Sequence, residues 1–141
     1  MSEIHIATLQ GTSLIDGKTE GYAMCLPDSI AGWSGMDDCG VIIEKDSVHK
    51  GDSVEGRILV MPGGKGSIGW SCHFTALKAN GHAPRGWVFR HVDARVGVAL
   101  VTTNIPAVCV PAPDPFSVIR DNDKLKIDGE KGVVEVWREQ E

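Results

Sequence analysis

Residues 57–80 limit what this chain can fold into more than any other stretch. Arg57-Ile-Leu-Val-Met-Pro62 is a short apolar run stopped by proline, Gly63-Gly-Lys-Gly-Ser-Ile-Gly69 is almost all small residues, and Trp70-Ser-Cys-His-Phe-Thr-Ala-Leu-Lys-Ala-Asn80 has a helical composition closed by Asn80-Gly81. That order predicts strand, tight loop, helix. Such a loop aims backbone N–H groups and the positive end of the helix dipole at whatever stands before it, which favours anions and developing negative charge. Ser67 and Ser71 lie in that field beside Lys65, so three polar side chains meet at an electropositive helix start.

A chain of 141 residues is one domain's worth, long enough for a real core and short for a two-domain enzyme, so a single domain over residues 1–141 is expected. Its 17 Gly and 7 Pro imply many turns and short elements, hence a mixed α/β or β-rich fold. The net charge of −5 would repel nucleic-acid backbones and anionic membranes, leaving small molecules or another protein as partners. No apolar run nears the roughly 20 residues of a membrane span, and Met1-Ser-Glu-Ile-His5 lacks the pattern of a secretory leader, so a cytoplasmic location is expected. Cys25, Cys39, Cys72 and Cys109 are scattered without a C-x-x-C pair; free thiols are expected, and no metal site in this chain.

Along the chain, residues 4–9 and 20–26 read as strands, most simply paired with each other across a turn region at 11–17. Residues 30–40 form a loop rich in Gly and short polar residues that carries Trp33; it reads equally as a binding loop or as a surface turn whose Trp33 packs on the core. Residues 41–43 are a short strand candidate, and 44–50 a solvated connector. Residues 87–92 read as a second strand, parallel to the first because the connection suits a right-handed crossover. Asp93 is positioned to cap a helix over 94–103 with Val96, Ala99 and Leu100 inward, followed by a third strand at 105–110. Residues 111–115, with three prolines, make a stiff linker barred from helix and central strand. Residues 124–128 and 133–137 alternate as a hairpin.

Gly64-x-Gly66-x-x-Gly69 matches the dinucleotide-binding fingerprint, and Asp93 falls near the spacing of a ribose-binding acid, yet too little chain follows to complete the two halves of such a fold. Lys65 is followed by Gly66 instead of Ser or Thr, so the loop is no P-loop. A turn that needs glycine only for tight packing competes with a functional loop; Lys65, Ser67 and Ser71 together favour the functional one. His49, His73, His82 and His91 lack ligand spacing, although His73 stands out in the first turn after the loop. Asp37 and Asp38 are neighbours in a loop, where carboxylates rarely converge on one point, so at least one should stabilise a turn.

Taken together, Ser34-Gly-Met-Asp37 through Gly40, Gly56-Arg-Ile-Leu-Val-Met-Pro62, Gly64-Lys-Gly-Ser67 with Ser71, Ala83-Pro84, Asp93, Gly97 and Ile105-Pro106 resemble the small subunit, or swivel domain, of the aconitase X family over most of the chain. The resemblance implies an α/β fold of the swivelling β/β/α kind, with a β-rich, barrel-like part and βαβ units. It implies hydro-lyase activity, as in the cis-3-hydroxy-L-proline dehydratases and mevalonate 5-phosphate dehydratases. It also implies a partner, the large catalytic subunit, which carries the iron–sulfur cluster while the swivel domain contributes a serine from its Gly-Ser loop. That serine falls on Ser67, with Ser71 as the second serine. Lys65 stands where the family commonly has arginine, a point charge in place of a bidentate fork.

The expectation is therefore the small subunit of a two-chain dehydratase acting on a small hydroxy acid, foremost cis-3-hydroxy-L-proline. Mevalonate 5-phosphate is the alternative substrate, and a non-catalytic module that binds an anion or a partner is the competing class. Ser67 is assigned as the base, with Lys65, Gly66, Ser71, Trp33 and Ser34 as substrate contacts. A serine hydroxyl is a weak base, so the helix dipole, the loop N–H groups and Lys65 must stabilise its alkoxide. Residues 30–40 should then line the same cleft as the Gly-Ser loop.

Overall fold

A computed structural model of the chain describes residues 2–67 and 69–140; Met1, Glu141 and the loop residue Ile68 lie outside the described residues. Strand β4 (Ile58–Met61) is buried on both faces, as a continuous apolar run requires, and the sheet grows outward from it. It pairs in parallel with β3 (Lys18–Cys25) on one side and β5 (Gly86–Phe89) on the other, and β5 pairs in parallel with β6 (Ala107–Cys109). From β3 the sheet continues antiparallel through β7 (Lys124–Asp128) and β8 (Val133–Glu139) to β1 (Glu3–Gln10), while β2 (Thr12–Ile15) pairs antiparallel with β6. The order is β1-β8-β7-β3-β4-β5-β6-β2. Its two end strands are consecutive in sequence with only Gly11 between them, so one bent strand joins both edges and the sheet closes like a barrel. A side chain at Gly11 would run into the Cys109 carbonyl, which is why glycine makes the bend.

Because side chains alternate along a strand, β4 sends Ile58 and Val60 to one core cluster and Leu59 and Met61 to the other; β5 divides Val88 from Trp87 and Phe89 in the same way. The first cluster is aliphatic and fills the barrel. The second lies under the helices α1 (Gly69–Ala79) and α2 (Ala94–Thr103), which cover the parallel strands with Trp70, Phe74 and Leu77 and with Val96, Ala99 and Leu100. Trp70, Phe74, Trp87 and Phe89 pack there edge to face or tilted, with centroids 4.8 to 6.4 Å apart. The units β4-α1-β5 and β5-α2-β6 are the two expected βαβ crossovers, and with the barrel they make the β/β/α arrangement that the resemblance implied.

Local signals at the helix ends hold as read: Gly81 takes φ +81° and His82 N–H reaches back to the Leu77 carbonyl to close α1, while Asp93 caps α2. Several expectations differ. β1 and β3 do not pair, because the β8 and β7 strands of the hairpin take them as separate antiparallel partners. The supposed turn at residues 11–17 contains β2, whose partner β6 lies far along the chain. Residues 41–43 make only isolated bridges, Met36 to Ile42 and Val41 to Ser53, because their neighbours are loops and not a ladder. Pro115 opens a short helix, α3 (Pro115–Val118), behind the capping Asp114; the first helical position is the one that tolerates proline. Among the described residues no helix is long and apolar enough to cross a membrane.

Candidate functional site

The Gly-Ser loop runs from the C-terminal end of β4 to the start of α1, the edge of a parallel sheet where ligands commonly bind. Side chains from three distant segments hold it. Buried Ser29, itself at φ +58°, donates its hydroxyl to the Gly63 carbonyl at 2.6 Å. Asp93 takes the N–H of Val96 at 3.0 Å as helix cap and the N–H of Gly64, also at 3.0 Å. Arg95 pairs with Asp93 at 3.1 Å and donates to the Gly66 carbonyl at 2.6 Å. Glu44 accepts the Ala31 N–H at 3.1 Å and pairs with Lys65 at 3.3 Å, tying the residue 30–40 loop to the Gly-Ser loop.

The three glycines of the fingerprint-like motif have three local causes. A Cβ on Gly64 would lie 3.0 Å from the Arg95 side chain, and one on Gly69 would lie 2.9 Å from the Trp33 ring and 3.2 Å from the Ser67 hydroxyl. Gly66 faces open space, but its φ of +77° favours glycine. Asp93, the candidate ribose acid, is already engaged by Gly64, Val96 and Arg95, so the dinucleotide reading loses its acidic partner. Burial alone would raise the Asp93 carboxyl, but the Arg95 hydrogen bond and the N–H groups of Val96 and Gly64 outweigh it and hold the group below the ordinary carboxylate range.

Ser67 is exposed; its Oγ accepts the Gly69 N–H at 3.2 Å and its carbonyl accepts the Trp70 N–H at 3.0 Å. The N–H groups of Lys65, Gly66 and Ser67 have no acceptor among the described residues. Trp33, 57% exposed, lies against Gly69 and edge-on to His73 with centroids 4.5 Å apart, so it shares a face with Ser67. Gly32 sits so close to the Gly69 carbonyl that a Cβ would approach within 2.8 Å, which brings the two loops together backbone on backbone. Ser34, next to Trp33, is exposed. Ser71 is fully covered within α1, where its carbonyl takes the Thr75 hydroxyl at 2.8 Å. Lys65 also borders a cleft of about 420 Å³ lined by Leu26, Pro27, Ser29, Glu44 and Val48; Ser67 and Trp33 are not part of that lining.

His73 is buried, with Nε2 3.0 Å from the Asp37 carbonyl and Nδ1 without a partner among the described residues. The Asp37 carboxylate takes the N–H groups of Val41 and Cys39, which hold it below the ordinary range, the turn-stabilising role expected of one of the two aspartates. His49 and His82 are drawn to carboxylates elsewhere, at Asp52 and Asp121 and at Glu55. Among the described residues no three His, Cys, Asp or Glu side chains gather where they could hold a metal. Sequence reasoning missed Ser29, Glu44 and Arg95. Only Arg95 left a signal: a cation in the first turn of a helix opposes the dipole and implies a compensating partner.

A family model described as the aconitase X swivel domain matches residues 8–136. The chain is 32% identical over 129 residues to the phosphomevalonate dehydratase small subunit of Methanocella arvoryzae, covering 91% of this chain and 98% of that one. The protein of the same name from Archaeoglobus fulgidus is 33% identical, with 85% and 91% covered. In structure the chain is similar to Thermococcus kodakaraensis aconitase X in its holo-form, with a TM-score of 0.84 at 29% identity over 92% of this chain and 98% of that chain.

Proposed function

The chain belongs to the aconitase X swivel-domain family, and on that premise we propose that it is the small subunit of a two-chain hydro-lyase that removes water from phosphomevalonate. The names of its relatives carry the substrate: proteins 32% and 33% identical, matched over 91% and 85% of this chain, are phosphomevalonate dehydratase small subunits. The foremost expectation, cis-3-hydroxy-L-proline, gives way to this alternative.

The scattered cysteines and the lack of a gathered ligand set among the described residues do not fit an iron–sulfur cluster held by this chain alone. In our reading the cluster belongs to the large subunit. This chain contributes one wall. Ser67 takes the proton from the carbon beside the departing hydroxyl. Supporting this, its Oγ already accepts the Gly69 N–H, and the N–H groups of Lys65, Gly66 and Ser67, without an acceptor among the described residues, stand at the positive end of α1, where negative charge on oxygen is stabilised. Lys65 supplies a point charge for an anionic group of the substrate, steadied by Glu44. Gly66, with open space in front of it, lets substrate approach the backbone, and Trp33 and Ser34 form the side wall. Ser71, covered inside α1, supports the loop from behind.

Co-expression with the large subunit and assay of phosphomevalonate and cis-3-hydroxy-L-proline side by side tests the reading. Turnover of phosphomevalonate supports it. Turnover of hydroxyproline alone overturns the substrate, and an assembled complex inert to both overturns the dehydratase assignment.

A further inference from the structure

We infer that Asp93 and Arg95 form a strut that sets the orientation of the Gly-Ser loop, which makes Arg95 a positioning residue and not a substrate ligand. Arg95 occupies the second position of α2, where its charge opposes the helix dipole. It is compensated by a fork onto Asp93, Nε to Oδ1 at 3.4 Å and Nη2 to Oδ2 at 3.1 Å, which leaves Nη1 for the Gly66 carbonyl at 2.6 Å. Oδ2 of the same carboxylate takes the Gly64 N–H. One ion pair therefore grips the loop on both sides of Lys65.

Peptide geometry turns that grip into orientation. In a trans peptide the C=O and the following N–H point in opposite directions. Drawing the Gly66 carbonyl toward Arg95 turns the Ser67 N–H away from it, toward the open face. The Gly63–Gly64 peptide is clamped at both ends, its carbonyl by Ser29 and its N–H by Asp93. The strut also lies flat on the loop: a Cβ at Gly64 would be 3.0 Å from Arg95 and one at Gly63 3.1 Å from the Asp93 carboxylate. Two independent features, the hydrogen bonds and the absence of room, thus place the same pair under the same loop.

The consequence for turnover rests on the dehydratase reading above; the geometry does not, and the two are tested separately. In the isolated chain, amide exchange followed by NMR should show the Gly64 N–H exchanging about tenfold faster or more in Arg95→Ala and in Asp93→Asn, with β7–β8 amides unchanged. Asn still caps a helix, so Asp93→Asn keeps α2 while weakening the hold on Arg95, and it serves if Arg95→Ala folds poorly. In the assembled two-chain complex Arg95→Ala should lower kcat by about 10- to 100-fold, the scale of an ångström-sized misplacement. KM for phosphomevalonate should stay within about twofold. Arg95→Lys should recover part of the loss, since an ammonium reaches the carbonyl or the carboxylate less well than a fork reaches both. A raised KM at unchanged kcat would make Arg95 a substrate contact and overturn the inference, as would unchanged Gly64 exchange in both variants. If the unsubstituted complex turns over nothing, the dehydratase reading falls and the exchange measurement alone decides the strut.

Discussion

The β7–β8 hairpin and the Gly-Ser loop are both glycine-containing connections, and they are held in opposite ways. The hairpin is closed by its own ladder, from Lys124 opposite Trp137 to Asp128 opposite Val133, and Asp128 takes the N–H groups of Glu130 and Lys131 at 3.1 Å within the turn. Among its described residues the Gly-Ser loop has no ladder; Ser29, Glu44, Asp93 and Arg95 reach it from segments that are remote in sequence. A connection held from within has its backbone groups committed. One held from behind by side chains can keep N–H groups turned outward, which is what a site for developing negative charge needs.

The largest test of that contrast is Ser67→Ala in the assembled complex, expected to lower turnover by about two to four orders of magnitude, the scale of losing a positioned proton-transfer group. Assembly and cluster content should persist, and Lys131→Ala in the hairpin should leave turnover unchanged. The Ser67–Gly69 contact is also one that a helix-capping serine makes. If Ser67→Ala only destabilises the isolated chain, by about 0.5–2 kcal/mol, while turnover in the complex holds, the loop is a packing element and the contrast loses its functional meaning. Next in size, Trp87→Ala should destabilise the isolated chain by about 3–5 kcal/mol in urea unfolding, because the ring is fully buried among Trp70, Phe74 and Phe89. Trp33→Ala, at the exposed rim, should change stability far less and act on KM instead.

The same contrast marks what could be read in the sequence. β4, α1, the α2 cap at Asp93 and the hairpin were legible because each is specified by neighbours: an apolar run, Asn80-Gly81, one aspartate before a helix, alternation about a turn. β2 was not, since Thr12-Ser-Leu-Ile15 has nothing to pair with until β6 arrives from across the barrel. Trp33 and Ser67 meet at Gly69 on one face, as expected of the residue 30–40 loop, but among the described residues the expected shared cleft is not formed: the cleft beside Lys65 is lined by residues 26–29, 44 and 46–48 and by neither Trp33 nor Ser67. Burial of Ser71 depends on which side of α1 meets the sheet, and the helix pattern alone did not decide it. Ser29 and Glu44 were invisible for the same reason as β2: they act on Gly63 and Lys65, partners that only tertiary folding brings close.

A third test separates two glycines with left-handed φ. Gly66 is at +77° with nothing near its absent Cβ, so Gly66→Ala should cost only the backbone term, about 1–2 kcal/mol. Gly132, in the hairpin at +70°, has the Ser13 nitrogen and the Gly11 carbonyl oxygen within 2.9 Å of that point, so Gly132→Ala should cost clearly more in the same unfolding assay. Equal losses would mean that the hairpin turn is no more tightly fitted than the loop.

The smallest expected effect is the acid sensitivity of the strut. The Asp93 carboxyl lies below its ordinary value in the folded chain, so folding favours its ionised form. Its contribution is fully present above the ordinary carboxylate range. It fades as pH falls through that range and is gone below the folded value, where folded and unfolded chains are both protonated. The side chain is 24% exposed, and solvent screens part of the interaction. Asp93→Asn keeps a cap but no charge; unfolding free energies of the two chains should differ at neutral pH and converge as the solution is acidified. A gap that persists or widens in acid would mean that shape, and not charge, ties Arg95 to the loop, and the loop would then resemble the hairpin more than its open N–H groups imply.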